Sequence, residues 1–209
     1  MNTWILVPVR GLASGKSRLA AVVSADERRA LNAQMLDRTL EAIAQSGEAP
    51  ELPRNPLAQC IVVSADADVL DLARLRGAQA LDEGRNTGLN AALELARAKA
   101  NAQGATRLLV LAADIPEVDA AALERLDRAI PANSAAVISD KIGTGTNGLL
   151  LPARANICFA FGVDSLVQHR TALEALGIDT RIWHDPALAF DLDTAADYAA
   201  WTSLHATAH

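Results

Sequence analysis

The chain has 209 residues, 51% of them hydrophobic, and a formal net charge of −6. That size and apolar share suit one compact α/β domain around a single core. An acidic balance with no Lys/Arg block and no basic–aromatic interleaving excludes nucleic acid as the main partner, and no run of about 18 apolar residues is present to span a membrane.

The first apolar run, "WILVPV" at 4–9, predicts a strand covered on both faces. It lacks the basic leader and small-residue cleavage site of a signal peptide, so the protein is expected in the cytoplasm. "VRGLASGKSRLA" (9–20) follows as a Gly-containing loop. "SADERRALNAQMLDRTLEAIAQSG" begins with Ser and Asp, carries Leu31, Met35, Leu36, Leu40 and Ile43 at helical spacing, and stops at Gly47. The three prolines of "EAPELPRNPLAQ" mark a surface connection. "CIVVSAD" (60–66) is a second strand, "ADVLDLARLRGA" a short helix and "AQALDE" (78–83) a short strand. "NTGLNAALELARAKANAQG" is a helix with a glycine at its entry, and "RLLVLAAD" (107–114) a third long strand. "DAAALERLDRAI" is a helix and "AAVISD" (135–140) a strand. "GTGTNGLLLPA" is a loop leading into a strand, "VDSLVQHRTALEALG" a helix and "RIWHD" a short strand. "ALAFDLDTAADYAAWTSL" is a strand turning into the last helix. The alternation predicts a mostly parallel sheet with helices on both faces, a three-layer α/β/α fold. Ligands bind beyond the carboxyl ends of such strands. "VPVRG", "VVSAD" and "VLAAD" are expected to share one crevice there. Cys60 and Cys158, far apart and without metal-type spacing, are read as buried apolar thiols.

Two motifs nearly match phosphate-binding fingerprints. A P-loop needs four residues between its glycines, whereas Gly11 and Gly15 enclose three. "GTGTNG" (143–148) matches G-x-G-x-x-G, but it enters an apolar strand instead of opening a helix. It marks a tight loop, with Thr144, Thr146 and backbone amides available to an anion. Arg10, Lys16 and Arg18 still cluster within nine residues behind the first strand. Small residues separate them, as a triphosphate clamp requires; a solvated basic turn is the plainer reading.

"VPVRGLASGKSRLA", "MLDRTLEAI", "VVSAD", "GLNAAL", "LVLAADIP", "GTNGLLL", "FGVDSLVQHR" and "DLDTAADY" resemble, in this order, the phospholactate guanylyltransferase family. The likeness runs over nearly the whole chain. The related molybdopterin guanylyltransferases carry a Gly-Gly loop that is absent here. The resemblance implies a GT-A-like, Rossmann-like nucleotide-diphospho-sugar transferase fold over 1–209, with 1–115 mainly for nucleotide and 116–209 mainly for the acceptor. It implies GMP transfer from GTP to a phosphorylated three-carbon acid: 2-phospho-L-lactate, phosphoenolpyruvate or 3-phospho-D-glycerate. The product would serve the biosynthesis of a deazaflavin coenzyme of the F-420 type. The acid and the oligomeric state, homodimer or otherwise, stay open. So do another nucleotide or acceptor on the same fold, and a non-catalytic nucleotide-binding protein.

Such a transfer needs no general base, because a phosphate monoester with a second pKa of about 6 is already an anion at neutral pH. It needs a divalent metal, cations and positioning. Mg²⁺ takes oxygen ligands, including one or two carboxylates. Asp114, delivered by an apolar run at a strand end, is the first ligand expected, against a helix cap after Pro116. By resemblance Asp193 is the second; Asp191 is the alternative, and Asp193 or Thr194 is also read as a helix cap. Lys16 and Arg18 are expected to neutralise the β- and γ-phosphates and, with Asp114, to carry catalysis. The matching nucleotide positions are Pro8, Arg10, Gly11, Lys16, Ser64, Asp66, Gly88 and Asn90, the last with an N-cap as its plainer role. Glu83 is placed to accept from guanine N1 and N2. Thr146, Gly162 and Ser165 are the acceptor positions, with backbone amides at the helix start near Ser165 available to an anion and Asp164 as a cap. His169, one turn beyond Ser165, either lines the acceptor pocket or is structural. His184 and the tail histidines are read as surface residues.

Overall fold

A computed structural model describes residues 2–13, 16–47, 53, 55–85 and 88–205; of Ser17, Leu204 and His205 it describes the backbone. Parts of four expectations therefore lie outside the described residues: the second glycine of the 9–20 loop, much of the proline-rich connection, the "NT" before Gly88, and the surface placement of the tail histidines.

Seven strands form one sheet: β1 (Thr3–Pro8), β2 (Cys60–Ser64), β3 (Gln79–Asp82), β4 (Arg107–Leu111), β5 (Ala135–Ser139), β6 (Thr146–Pro152) and β7 (Thr180–Trp183). Their spatial order is β3-β2-β1-β4-β6-β5-β7. All pairings are parallel except those of β6, which runs antiparallel to both β4 and β5. The 140–145 connection is too short for a crossover and so reverses the chain. Strand order turns at β1 and β4, and crevices open at such switch points.

The helices are α1 (Ala25–Gln45), α2 (Ala67–Arg76), α3 (Leu89–Ala102), α4 (Ala120–Ala129), α5 (Ser165–Ala175), α6 (Pro186–Ala189) and α7 (Ala195–His205). Period-two alternation sends Ile5 and Val7 of β1 to one face with Leu36 and Leu40 of α1 and Leu123 of α4. It sends Trp4 and Leu6 to the other face with Leu93 of α3 and Leu173 of α5. Each fully buried Leu or Ile contributes about 1.5–3 kcal/mol, so these two clusters hold the three layers together. A third cluster joins Leu19 and Val23 to Leu31, Met35 and Leu192, with Tyr198 and Trp201 against it. It clamps the end of the 9–20 loop to the segment that carries Asp191 and Asp193.

Local signals act as expected at α1, where Ser24 and Glu27 form a reciprocal capping box. Gly148 is fixed by packing: a Cβ there would lie 2.5 Å from Ile138 Cδ1 and 3.0 Å from the Val110 carbonyl oxygen.

Four local expectations are corrected. The strand expected from "ALAFDLD" does not form. Asp185 caps the Ala187 amide and Pro186 takes the first helical position, so the chain starts α6 instead. Asp164 occupies the N-cap position of α5 in a left-handed conformation (φ +53°), and its side chain makes no cap bond. Asn90 is not an N-cap; Gly88 holds that position. Cys158 is exposed, whereas Cys60 is buried, which pushes its thiol pKa up to about 12.

Candidate active site

A cavity of about 370 Å³ opens beyond the carboxyl ends of β1 and β4, within the range of small-molecule sites. One wall is the last residue of β1, Pro8, and the loop after it: Val9, Arg10, Gly11 and Lys16. The floor is the segment just after β4, Ala112 to Asp114. The opposite wall carries Asp140, Gly145, Thr146, Asn147, Phe161, Gly162 and Ser165, and Asp191 and Asp193 close the side.

The charges converge on Lys16. Its Nζ lies 3.5 Å from Asp114 Oδ2 and 3.9 Å from Asp193 Oδ1, and it donates to the Leu192 carbonyl at 2.5 Å. Lys16 holds a left-handed φ of +57° to reach them. Burial raises the pKa of Asp191, and the charges of Asp193 and Asp114 raise it further. Asp193 is raised by burial and by Asp114, while Lys16 and Arg18 pull it back down. Two carboxylates, Asp114 and Asp193, meet at the Lys16 ammonium, and both charges act on Asp191 beside them. Their oxygens suit a hard divalent cation. Among the described residues, no group of three or more His, Cys, Asp or Glu is gathered tightly enough to hold an ion unaided. An ion bound here therefore needs ligand atoms from elsewhere, as Mg²⁺ does when it shares carboxylates with substrate phosphates.

Helix capping explains why the carboxylates are available. Asp119, not Asp114, caps α4 by accepting from the Ala122 amide at 2.7 Å. Thr194 and Asp197 cap α7 reciprocally, with Asp197 also accepting from the Asp193 amide at 3.2 Å. Asp193 is thus held by its backbone while its side chain faces the cavity. Burial works against the Asp197 carboxylate, but the Lys141 ammonium, the Thr194 hydroxyl and two amides outweigh it, and its pKa falls to about 2. The Leu192 amide donates to the Asp114 carbonyl at 3.1 Å, which joins the two acidic segments.

Other expected residues take supporting positions. Asp66 does not line the cavity. It accepts from the Leu12 amide at 2.8 Å and caps α2 through the Asp68 amide, so it braces the loop from behind. Ser64 is fully buried and accepts from the Asp66 amide at 3.0 Å. Asn90 forms a reciprocal pair with the Phe161 backbone, at 2.9 and 3.2 Å, and ties α3 to the opposite wall. Arg18 is exposed and outside the cavity lining, close enough for its charge to act on Asp193. Glu83 and Gly88 line a smaller recess that shares Pro8, Val9, Arg10 and Leu89 with the main cavity.

On the far wall, Gly162 adopts a φ of +132°, a conformation that side chains disfavour. The Ser165 and Leu166 amides are already used by the Gly162 and Thr144 carbonyls, so they are not the anion donors expected at this helix start. His169 is fully buried behind the wall and does not line the cavity. His184 is exposed. Asp140, Asn147 and Asn32 line the cavity without having been singled out. Asp140 folds the 140–145 loop by accepting from the Gly143 and Thr144 amides at 2.6 and 3.0 Å. Asn147 grips the Leu188 and Ala189 carbonyls, each at 3.0 Å. The signal was present for Asp140, an aspartate after an apolar run like Asp114.

Comparisons with known proteins bear on the family and the fold. A family model described as "Guanylyl transferase CofC like" matches residues 3–206. A phosphoenolpyruvate guanylyltransferase of Sphaerobacter thermophilus is 37% identical over 94% of this chain and 91% of its own. A 3-phospho-D-glycerate guanylyltransferase of Colwellia psychrerythraea is 31% identical over 94% and 90%. A solved nucleotidyl transferase from Methanothermobacter shares the fold with a TM-score of 0.67 at 15% identity, over 100% of this chain and 99% of that one. Fold, cavity and relatives lead to one conclusion: this chain belongs to the CofC-like guanylyl transferase family.

Proposed function

We propose that this protein transfers GMP from GTP to a small phosphorylated three-carbon acid in a Mg²⁺-dependent reaction. A phosphate oxygen of the acid attacks the α-phosphorus of GTP, the bond to the β-phosphate oxygen breaks, and pyrophosphate leaves. The observation that carries this reading is the meeting of Lys16 with Asp114 and Asp193 in a cavity whose far wall bears Thr146, Gly162 and Ser165.

Residues from the two halves of the chain take separate tasks. The loop from Pro8 to Lys16 receives the triphosphate, with Lys16 and Arg10 against the leaving pyrophosphate. Arg18 adds charge from outside the cavity. Asp114 and Asp193, with Asp191 beside them, hold the divalent ion. That ion supplies charge neutralisation for the triphosphate and the departing group. The base lies along the recess at Glu83 and Gly88; this holds only about 30 Å³, so the base rests on its rim. Thr146, Gly162 and Ser165 receive the acid. The incoming phosphate is ionised at neutral pH, so the chain supplies position and charge, not a base.

Purified protein with GTP and Mg²⁺, offered each of the three acids in turn, tests the reading by mass detection of a guanosine-diphospho acid. Asp114→Ala should abolish product with every acid, whereas Ser165→Ala should weaken use of the acid more than of GTP. Equal loss of GTP affinity in both variants contradicts this division of the site.

A further inference from the structure

His169 is the one histidine among the described residues that is completely buried. It lies on α5 against the edge of the Phe161 ring, with centroids 4.7 Å apart. Both ring nitrogens are engaged. Nε2 receives the Ala160 amide at 3.0 Å, and Nδ1 lies 3.1 Å from Thr146 Oγ1.

These two bonds fix the proton. An amide can only donate, so Nε2 is the acceptor and carries no hydrogen. The neutral ring then has its proton on Nδ1 and donates it to Thr146 Oγ1. Burial keeps the ring neutral, pushing its pKa down to about 4. A hydroxyl that accepts this bond still has its own proton to give. Thr146 lines the cavity, so that proton is available to a ligand there. In the opposite tautomer the hydroxyl would spend its proton on His169.

We propose that His169 is a positioning residue that fixes Thr146 as a hydrogen-bond donor toward an oxyanion of the acceptor acid. Only the identity of that ligand rests on the proposed function. The Ala160 amide sets the polarity at Thr146 through the ring. It belongs to the segment that Asn90 pins at Phe161, so wall and donor are fixed together. The arrangement favours ligands that present a hydrogen-bond acceptor at Thr146.

Two isosteres separate the bonds. His169→Asn keeps a donor in the Nδ1 position and loses the Nε2 acceptor; His169→Gln does the reverse. Binding of phosphoenolpyruvate, in the presence of Mg²⁺ and a non-hydrolysable GTP analogue, is read by calorimetry. Loss of a hydrogen bond to a charged group predicts about 10- to 100-fold weaker binding in Thr146→Val and in His169→Gln. His169→Asn should stay within about threefold of wild type, and the Thr146→Val/His169→Gln double variant within about twofold of Thr146→Val. KM for GTP should stay unchanged in all of them. Multiplying losses in the double variant, or an Asn variant as weak as Gln, overturns the proposal. Should the variants not fold, a two-bond ¹H–¹⁵N spectrum of the wild type reads the ring directly: a proton on Nδ1 supports it and a proton on Nε2 overturns it. Binding coupled as expected but without GMP transfer to any acid would refute the proposed function and leave this role standing. Transfer with uncoupled variants would do the opposite.

Discussion

Acidification should destabilise this protein through His169. An ordinary histidine titrates at about 6.5; burial holds His169 down to about 4. Its partners are the Thr146 hydroxyl, the Ala160 amide and the Phe161 ring, none of them charged. The unfolded chain therefore takes up a proton that the folded chain refuses. The resulting stability is fully present above about pH 6.5 and is lost as the pH falls toward about 4. The gap between the two values is worth at most about 3 kcal/mol. In a chain of this length, that corresponds to roughly 6–12 °C in Tm. Urea unfolding of wild type and His169→Gln at pH 7, 6, 5 and 4 isolates the effect, because other titrating groups act alike in both. Wild type should lose up to about 3 kcal/mol more than the variant across that range. Parallel stability curves, their separation changing by less than about 0.5 kcal/mol from pH 7 to 4, would refute the reasoning.

Gly148→Ala should destabilise by roughly 1–3 kcal/mol in thermal or urea unfolding, because its Cβ meets Ile138 and the Val110 carbonyl at 2.5 and 3.0 Å. Asp66→Ala removes both the brace on Leu12 and the cap of α2; about 1–2 kcal/mol of stability should go. KM for GTP should rise while KM for the acid holds. Asp193→Asn relieves repulsion with Asp114, so unfolding without ligands should change by less than about 1 kcal/mol or become harder. Mn²⁺ binding, followed by calorimetry as a stand-in for Mg²⁺, should weaken sharply.

The layers of this fold were legible because continuous apolar runs and capped helical periods leave few alternatives: "CIVVS" and "RLLVL" are buried at every residue. Asp114 was legible for the same reason, as the polar residue that ends such a run. The "ALAFDLD" segment was misread because apolar spacing outweighed the Asp-Pro pair that starts α6. Asp66 shows a further limit. It ends a strand as Asp114 does, yet a helix begins at Ala67, so its carboxylate caps that helix and holds Leu12. His169 had the expected helical neighbour in Ser165, but spacing along one helix says nothing of Thr146, a strand away. Tautomers and braces depend on what tertiary packing brings opposite a side chain, and no local pattern carries that.

The central claim is that carboxylates from distant parts of the chain meet beside Lys16 so that one phosphate can displace another on GTP. The most direct test is mass detection of the adduct formed from GTP, phosphoenolpyruvate and Mg²⁺ by wild type and by Asp114→Ala. A guanosine-diphospho acid with matching pyrophosphate from wild type, and none from the variant, is the predicted result. Equal product from the variant, or pyrophosphate released without any adduct, would contradict the account.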